Sequence, residues 1–231
     1  MDTAQTIASI GAIIGDPTRA IILTALLDGR AWTAGELAHH ARVTPQTTSS
    51  HLKLLADSLL IKKDIQGRHH YFRLASPEIA NILENLTLLA SYRNEKTQQR
   101  STTPDKLRHA RTCYDHIAGQ LGVKITEGML DKNYLQKTDG KDYLVTEKGH
   151  AFFLSLGIDC ALIKQQRRQF AYQCLDWSER QHHLAGALGA QLCSLFIQRK
   201  WLTKAPNSRE IKVTREGQKQ FQTLLSLSIP S

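Results

Sequence analysis

Apolar positions along the first hundred residues recur with a helical period and are separated by short polar turns. They predict helices over 3–14, 17–27, 33–41, 45–57 and 77–92. After residue 58 the apolar spacing falls to two, and apolar positions on both sides of Gln66-Gly67-Arg68 predict a β-hairpin. The predicted order is therefore four helices, a hairpin and one further helix.

Residues that cap helices mark where three of these helices begin. Asp16 precedes Pro17, a pair typical of the first turn of a helix. Thr33 and Glu36 have the spacing of a capping box, and Thr44 is the predicted cap of the fourth helix. The turn over 42–44 is about three residues long, the length that sets two short helices at a large angle in a helix-turn-helix.

The fourth helix and the tip of the hairpin carry side chains suited to duplex DNA. The helix places hydroxyl, amide, imidazole and ammonium groups where they can read base edges or hold phosphates: Thr44, Gln46, Thr47, Thr48, Ser50, His51 and Lys53. The hairpin adds a cationic wing suited to the backbone or the minor groove: Lys62, Lys63, Arg68, His69 and His70. The alternative is a helix pair that contacts another protein.

Four motifs follow one another in the order of a known family. They are Asp16-Pro17-Thr18-Arg19, Gly35-Glu36-Leu37-Ala38, Ser50-His51-Leu52-Lys53-Leu54-Leu55 and Gly67-Arg68-His69-His70-Tyr71. Residues 5–92 thus resemble the ArsR-type winged helix-turn-helix repressors. The resemblance implies a homodimer on a near-palindromic operator, released by an effector. It also implies that the first helix and the helix over Pro77–Tyr92 form the dimer interface.

Two departures from that family bear on the effector. Many members bind a metal through a Cys-x-Cys pair on the third helix, but the segment from Thr33 to His40 contains no cysteine. Others bind one through acidic and histidine ligands on the last helix, and the segment from Ile79 to Tyr92 contains no histidine. His39 and His40 are interpreted as a surface pair near a helix end. Any effector is therefore expected to be sensed elsewhere.

A polar stretch over 93–105 divides the chain. We expect a winged helix-turn-helix domain over 1–95, a linker over 96–105 and a sensing domain over 106–231. The last contains an internal repeat, because HIAGQLG at 116–122 recurs as HLAGALG at 183–189, and VTEKG at 145–149 recurs as VTREG at 213–217. Repeats over about 110–155 and 171–228 are predicted, each a helix–turn–helix–hairpin–helix unit. The predicted fold class is mainly α with small β-hairpins.

The two repeats place similar chemistry at similar positions. The candidate effector or metal residues are Cys113, Asp115, His116, Cys174, Asp176, His182 and His183. Three alternatives stay open: a zinc-like metal site, a thiol that senses oxidants or electrophiles, or buried cysteines with histidines at the repeat interface. Trp177 beside these histidines is interpreted as a packing residue or as the wall of a small-ligand pocket, and Cys160 and Cys193 as core residues.

Composition narrows the function further. The 231 residues carry a formal net charge of +9, which favours a polyanionic partner. Residues 1–100 hold 11 Lys and Arg against 9 Asp and Glu, a net of +2, so DNA binding there depends on individually placed cations. The sequence shows no secretory signal or spanning segment, which predicts a cytoplasmic protein with reduced thiols.

We therefore expect a DNA-binding transcriptional regulator, a repressor by the family resemblance, that needs no cofactor and acts as a homodimer controlled by an effector. Two alternatives come from other classes. One is an enzyme whose nucleophile is Cys113 or Cys174 and whose base is His116 or His183. The other is a protein–protein adaptor whose winged fold has lost DNA contact.

Overall fold

The computed structural model describes residues 2–96, 105–206 and 208–229. Within these ranges the chain divides into two compact units, Met1–Glu84 and Asn85–Ser231. The predicted linker over 96–105 lies, apart from its two end residues, outside the described residues.

The first unit contains a helix-turn-helix followed by a β-hairpin. Its elements are α1 (Thr3–Ile14), α2 (Pro17–Leu26), β1 (Trp32–Thr33), α3 (Ala34–Ala41), α4 (Pro45–Asp57), β2 (Ile61–Gln66), β3 (His69–Leu74) and α5 (Pro77–Lys96), the last of which continues into the second unit. The short strand β1, which the sequence analysis missed, pairs with β3 and makes a three-stranded antiparallel sheet in the order β1-β3-β2.

The capping residues hold the helices as the sequence predicts. The Asp16 carboxylate accepts a hydrogen bond from the Arg19 backbone N–H, Thr33 and Glu36 form a reciprocal capping box, and Thr44 accepts from the Thr47 N–H. The Arg19 guanidinium also donates to the carbonyl oxygens of Ala12 and Ile13 at the end of α1. The Asp-Pro-Thr-Arg motif thus both starts α2 and satisfies the end of α1.

The second unit alternates β-hairpins with helices. Its further elements are α6 (Asp105–His109), β4 (Arg111–Cys113), β5 (His116–Ala118), α7 (Gly119–Asp131), β6 (Leu135–Lys137), β7 (Tyr143–Val145), α8 (Glu147–Ser155), α9 (Cys160–Lys164), β8 (Tyr172–Leu175), β9 (His182–Ala185), α10 (Gly186–Gln198), β10 (Leu202–Lys204), β11 (Ile211–Val213) and α11 (Arg215–Leu225). The order hairpin–helix–hairpin–helix occurs once from β4 to α8 and again from β8 to α11.

The predicted start of each repeat is wrong. A helix–turn–helix was expected, but β4 and β5 form an antiparallel hairpin in which Cys113 faces His116, and β8 and β9 do the same with Cys174 facing His183. The residues of β4 and β5 are all buried, so they lack the polar–apolar alternation that identifies a half-exposed strand. Tyr114, at φ 56°, makes the left-handed turn that closes the first hairpin.

One apolar core runs through the second unit. It includes Leu121 and Met129 from α7, Phe153 from α8, Leu188 and Phe196 from α10. Cys160 and Cys193 belong to this core, as predicted, and burial raises the pKa of both thiols, that of Cys193 to about 12.

Among the described residues no single helix is both long and apolar enough to cross a membrane, and α1 and α2 meet that test only jointly, as a pair bent by 86°.

Candidate DNA-binding surface and a buried cysteine–histidine cluster

Helix α4 presents a polar stripe to solvent. Gln46, Ser50 and Lys53 are exposed and recur at helical spacing, and Thr44 and Thr47 are exposed at the amino-terminal end. Ser49, which the sequence analysis omitted, is exposed on the same stripe, three residues after Gln46 and four before Lys53. This helical spacing in the sequence could have identified Ser49 as part of the stripe.

Thr48 does not belong to this surface. Its side chain is fully buried and its hydroxyl donates to the Thr44 carbonyl oxygen, so the prediction that it contacts DNA is wrong. It lies four residues before Leu52 and seven before Leu55, which are both buried, and this places it on the inward stripe of the helix.

His51 lies between the two faces. It is half-buried, and its Nδ1 lies 3.4 Å from Nη1 of Arg19. One edge of the imidazole is therefore engaged with the α1–α2 corner, and less of the ring is available to a ligand than for its exposed neighbours.

The hairpin β2–β3 is a cationic wing. Lys62, Lys63, Arg68, His69 and His70 are all exposed, and β2 and β3 pair from Ile61–Leu74 out to Gln66–His69. Only Gly67 and Arg68 lie between the strands, and Gly67 has φ 59°, as a tight hairpin turn requires. Lower on the hairpin, Asp64 pairs with Arg73, and this ion pair lowers the pKa of the Asp64 carboxyl. This ion pair lies away from Arg68, so the turn of the hairpin still carries a positive charge.

In the second unit the structure brings four of the predicted effector or metal residues together. The ligand atoms of Cys113, His116, Cys174 and His183 all lie within 4.8 Å of one another. The two Sγ atoms are 3.9 Å apart and the two Nε2 atoms 3.1 Å apart. All four residues are buried, with at most 6% of any of them exposed.

Each hairpin contributes one cysteine and one histidine to this cluster. Two glycines let α7 and α10 pack directly against the strands that precede them: a Cβ on Gly122 of α7 would lie 2.3 Å from the Ile117 carbonyl oxygen, and one on Gly189 of α10 would lie 2.6 Å from the Leu184 carbonyl oxygen. These glycines end the repeated HIAGQLG and HLAGALG motifs. The motifs therefore hold each helix close to the strand that carries a cluster histidine.

The predicted aspartates lie behind the histidines. An Asp115 oxygen lies 3.4 Å from Nδ1 of His116, and an Asp176 oxygen lies 3.4 Å from Nδ1 of His183. Asp176 also binds the buried Arg111 guanidinium at 2.9 Å and the Gly119 backbone N–H at 2.7 Å. Arg111 is 1% exposed and stacks over Trp177.

These contacts set the charges around the cluster. Burial opposes ionisation of Asp176, but Arg111, His183 and hydrogen bonds from Ser178 and Gly119 outweigh it and hold its pKa well below the usual range. Burial likewise disfavours protonated His116, yet the nearby Cys113 thiolate and Asp115 raise its pKa to about 10.

His182 and Trp177 do not join the cluster. His182 is exposed, beside the buried His183 in β9. Trp177 packs on Arg111, so it acts as a packing residue here. A cavity of about 10 Å³ lies between α7 and α10, lined by Ile117, Met129, Leu184 and Phe196 among others. It has room for about one water molecule and none for an organic effector.

Comparisons with known proteins connect these two units to a family. Residues 14–64 match a family described as "Helix-turn-helix domain". The chain is 42% identical over 223 residues to the uncharacterized HTH-type transcriptional regulator YdfF of Bacillus subtilis (strain 168), covering 96% of this chain and 98% of that protein. This chain belongs to the HTH-type transcriptional regulators. Both units therefore have counterparts in one relative of nearly the same length.

Other similarities cover about a third of this regulator. It is 38% identical over 80 residues to the HTH-type transcriptional regulator CmtR of Mycobacterium tuberculosis (strain ATCC 25618 / H37Rv), which is 35% of this chain and 67% of CmtR. The solution structure of the homodimeric winged helix-turn-helix domain of Mb0332 from Mycobacterium bovis, a possible ArsR-family regulator, matches 38% of this chain and 80% of that one, at 22% identity and TM-score 0.36. The assignment to helix-turn-helix transcriptional regulators made from the sequence is confirmed by the matched domain and by YdfF.

Proposed function

We propose that this regulator binds an operator as a homodimer, inserting α4 into the major groove with the β2–β3 wing on the flanking backbone, and acts as a repressor. The observation that carries the proposal is the exposed stripe of Gln46, Ser49, Ser50 and Lys53, since these polar side chains project from a helix that follows a short turn. The wing follows α4 directly in the sequence and supplies cations that can contact phosphates. A protein–protein adaptor that had lost DNA contact would not need both an exposed polar stripe on α4 and a cationic wing.

The direct test is a binding titration with the DNA upstream of the regulator's own gene. Fluorescence anisotropy at several salt concentrations should give a higher affinity for one segment than for shuffled DNA of equal length. Weak binding with no preference between these DNAs, even at low salt, would contradict the proposal.

Replacing Arg68 with alanine should weaken binding to every DNA by a similar factor and reduce the steepness of its salt dependence. One lost phosphate contact lowers the slope of log K against log salt by roughly 0.9. The control is Lys124→Ala, which removes an exposed charge from α7 in the other unit. Equal slopes for Arg68→Ala and the unaltered protein would remove the wing from the interface.

Replacing Gln46 with alanine should change which sequence is preferred. A side-chain contact to a base edge contributes about 1–3 kcal/mol of discrimination, so the preference should relax at one base pair of each half-site. Thr48→Val is the matched control on the same helix, because its side chain faces inward. A preference altered equally by both changes would mean that helix stability, and not base contact, governs specificity.

The dimer interface is proposed to consist of α1 and α5. Helix α1 contains no buried residue and exposes Ile7 and Ile10, and α5 exposes Ile82, Leu86 and Leu89. Apolar side chains exposed in this number along two helices are typical of a surface covered by a partner. A second copy of the chain is the partner that a near-palindromic operator requires.

Replacing Ile7 with glutamate places a charge on this proposed interface. Ile7→Glu should therefore shift the protein to monomer in analytical sedimentation and weaken operator binding.

The sensing function is assigned to the second domain, over 106–231, after a winged helix-turn-helix domain over 1–95 and a linker over 96–105. We propose that this domain consists of two related repeats and alters the DNA-binding unit when an effector binds. The shared order of hairpins and helices and the repeated glycine positions support that assignment. An enzymatic role for Cys113 or Cys174 is disfavoured, because both thiols are buried and closed to a substrate.

A further inference from the structure

We propose that Cys113, His116, Cys174 and His183 bind one Zn²⁺ ion in a closed tetrahedral site that joins the β4–β5 hairpin to the β8–β9 hairpin. The inference concerns metal binding alone and stands whether or not the proposed operator binding is correct. This chain lacks the ligand residues of both usual metal positions of ArsR-type repressors, on the helices that correspond to α3 and α5. The proposed site lies outside both helices.

The distances between ligand atoms fit such an ion. With Zn–S bonds of about 2.3 Å and Zn–N bonds of about 2.0–2.1 Å, a tetrahedron separates two sulfurs by roughly 3.8 Å and two nitrogens by roughly 3.3 Å. The Sγ atoms of Cys113 and Cys174 are 3.9 Å apart, and the Nε2 atoms of His116 and His183 are 3.1 Å apart. These two pairs are therefore already at coordinating separations, and all four ligand atoms lie within 4.8 Å of one another, against the roughly 3.6 Å that a tetrahedron sets between sulfur and nitrogen.

The histidines are oriented as zinc ligands. Both present Nε2 to the centre and have a carboxylate oxygen 3.4 Å from Nδ1, Asp115 for His116 and Asp176 for His183. A carboxylate behind Nδ1 keeps the proton there and leaves the Nε2 lone pair for the metal. The buried Nδ1 of His183 makes no hydrogen bond to any of the residues that the structure describes, and a metal on Nε2 would fix the tautomer that can donate to Asp176.

The donor set selects the class of ion. Two thiolates and two imidazoles suit Zn²⁺ and its soft or borderline relatives, whereas Mg²⁺ and Ca²⁺ require oxygen ligands. Four protein ligands with at most 6% exposure leave no position for water, which is the form of a structural zinc site. Bound zinc would therefore act as a crosslink between the two halves of the second unit.

The first test is stoichiometry. Full-length protein, stripped of metal under reducing conditions and dialysed against Zn²⁺, should hold one ion per chain by elemental analysis and show a raised Tm. Loading with Co²⁺ should give the strong visible absorption of a tetrahedral ion together with a thiolate-to-cobalt charge-transfer band. Dialysis against Mg²⁺ should leave no bound ion and should not raise the Tm. Stripped wild-type protein that remains folded but takes up no zinc or cobalt would overturn the proposal.

Matched variants separate metal binding from packing. Cys113→Ala and Cys160→Ala each remove one thiol from a residue that is 3% exposed, and Cys160 lies outside the cluster. The Cys113 variant should lose the charge-transfer band and at least tenfold in zinc affinity, whereas the Cys160 variant should retain both. His183→Ala, read by the cobalt spectrum, provides a second loss should Cys113→Ala fail to fold. Equal retention in all three variants would overturn the site.

The same two thiols offer a competing chemistry. If Cys113 and Cys174 exist as a disulfide in protein purified without reductant, and reduction does not confer zinc binding, the cluster is a redox pair and the proposal fails. If reduction yields two thiols per chain that zinc protects from alkylation, the proposal is supported.

Discussion

Asp176→Asn is expected to lower the free energy of unfolding of the second unit by about 3–5 kcal/mol, the usual cost of leaving one charge of a buried ion pair without its partner. Asp176 and Arg111 are 0% and 1% exposed in their side chains, and the carboxylate lies 2.9 Å from the guanidinium. The amide keeps the size of the side chain but not its charge. Denaturant unfolding in the presence of a chelator measures this cost without any metal.

A double variant shows whether charge is the cause. Arg111→Met combined with Asp176→Asn removes both buried charges, so it should recover part of the stability lost in the single variant. Arg73→Ala, which removes the arginine of the solvent-screened Asp64–Arg73 pair, should cost far less stability than Asp176→Asn. An Asp176→Asn midpoint equal to that of the unaltered protein would mean that Arg111 finds another partner.

The pH dependence has a definite sign. The pKa of Asp176 is lowered in the folded protein from an ordinary value of 3.8, so its stabilising contribution is fully present above that value and is lost as the pH falls below it. Asp176→Asn has no such contribution to lose. The difference in stability between the two proteins should therefore be constant near neutrality and narrow under acid conditions.

The sequence predicts the DNA-binding unit well because its signals are local. Asp16, Thr33 and Thr44 cap helices within three residues of themselves, and Gly67 meets a requirement of its own turn. The error at Thr48 arose because burial was assigned from residue type. Its spacing from Leu52 and Leu55 already indicated the inward face.

The cysteine–histidine cluster is harder to predict because it depends on contacts between distant residues. Cys113 and His116 are three positions apart, but Cys174 and His183 are nine apart, since the second hairpin has a longer loop. No regular ligand spacing therefore appears in the sequence. The repeat itself indicated equivalent positions, and only the antiparallel pairing of each hairpin shows that both cysteines face histidines.

The repeated Val-Thr-x-x-Gly motif has a structural cause that leads to the last prediction. Thr146 and Thr214 cap α8 and α11 by accepting hydrogen bonds from the backbone N–H groups of Gly149 and Gly217. Each threonine N–H donates in turn to the carbonyl oxygen of an aromatic residue before the hairpin, Tyr134 or Trp201. The start of each helix is thus held directly against that carbonyl.

Gly217→Ala should destabilise the second unit by about 1–3 kcal/mol, the usual cost of overpacking, even though alanine favours helices. A Cβ there would lie 2.1 Å from the carbonyl oxygen of Trp201, so the helix would have to move away from that carbonyl; at Gly149 the distance to the Tyr134 oxygen is 2.0 Å. Gly140→Ala is the control, because its Cβ would lie 3.7 Å from the Thr138 hydroxyl. Thermal unfolding should show a lower Tm for Gly217→Ala and for the equivalent Gly149→Ala, and an unchanged Tm for the control. Equal Tm values for all three would mean that the motif glycines are not required by this contact.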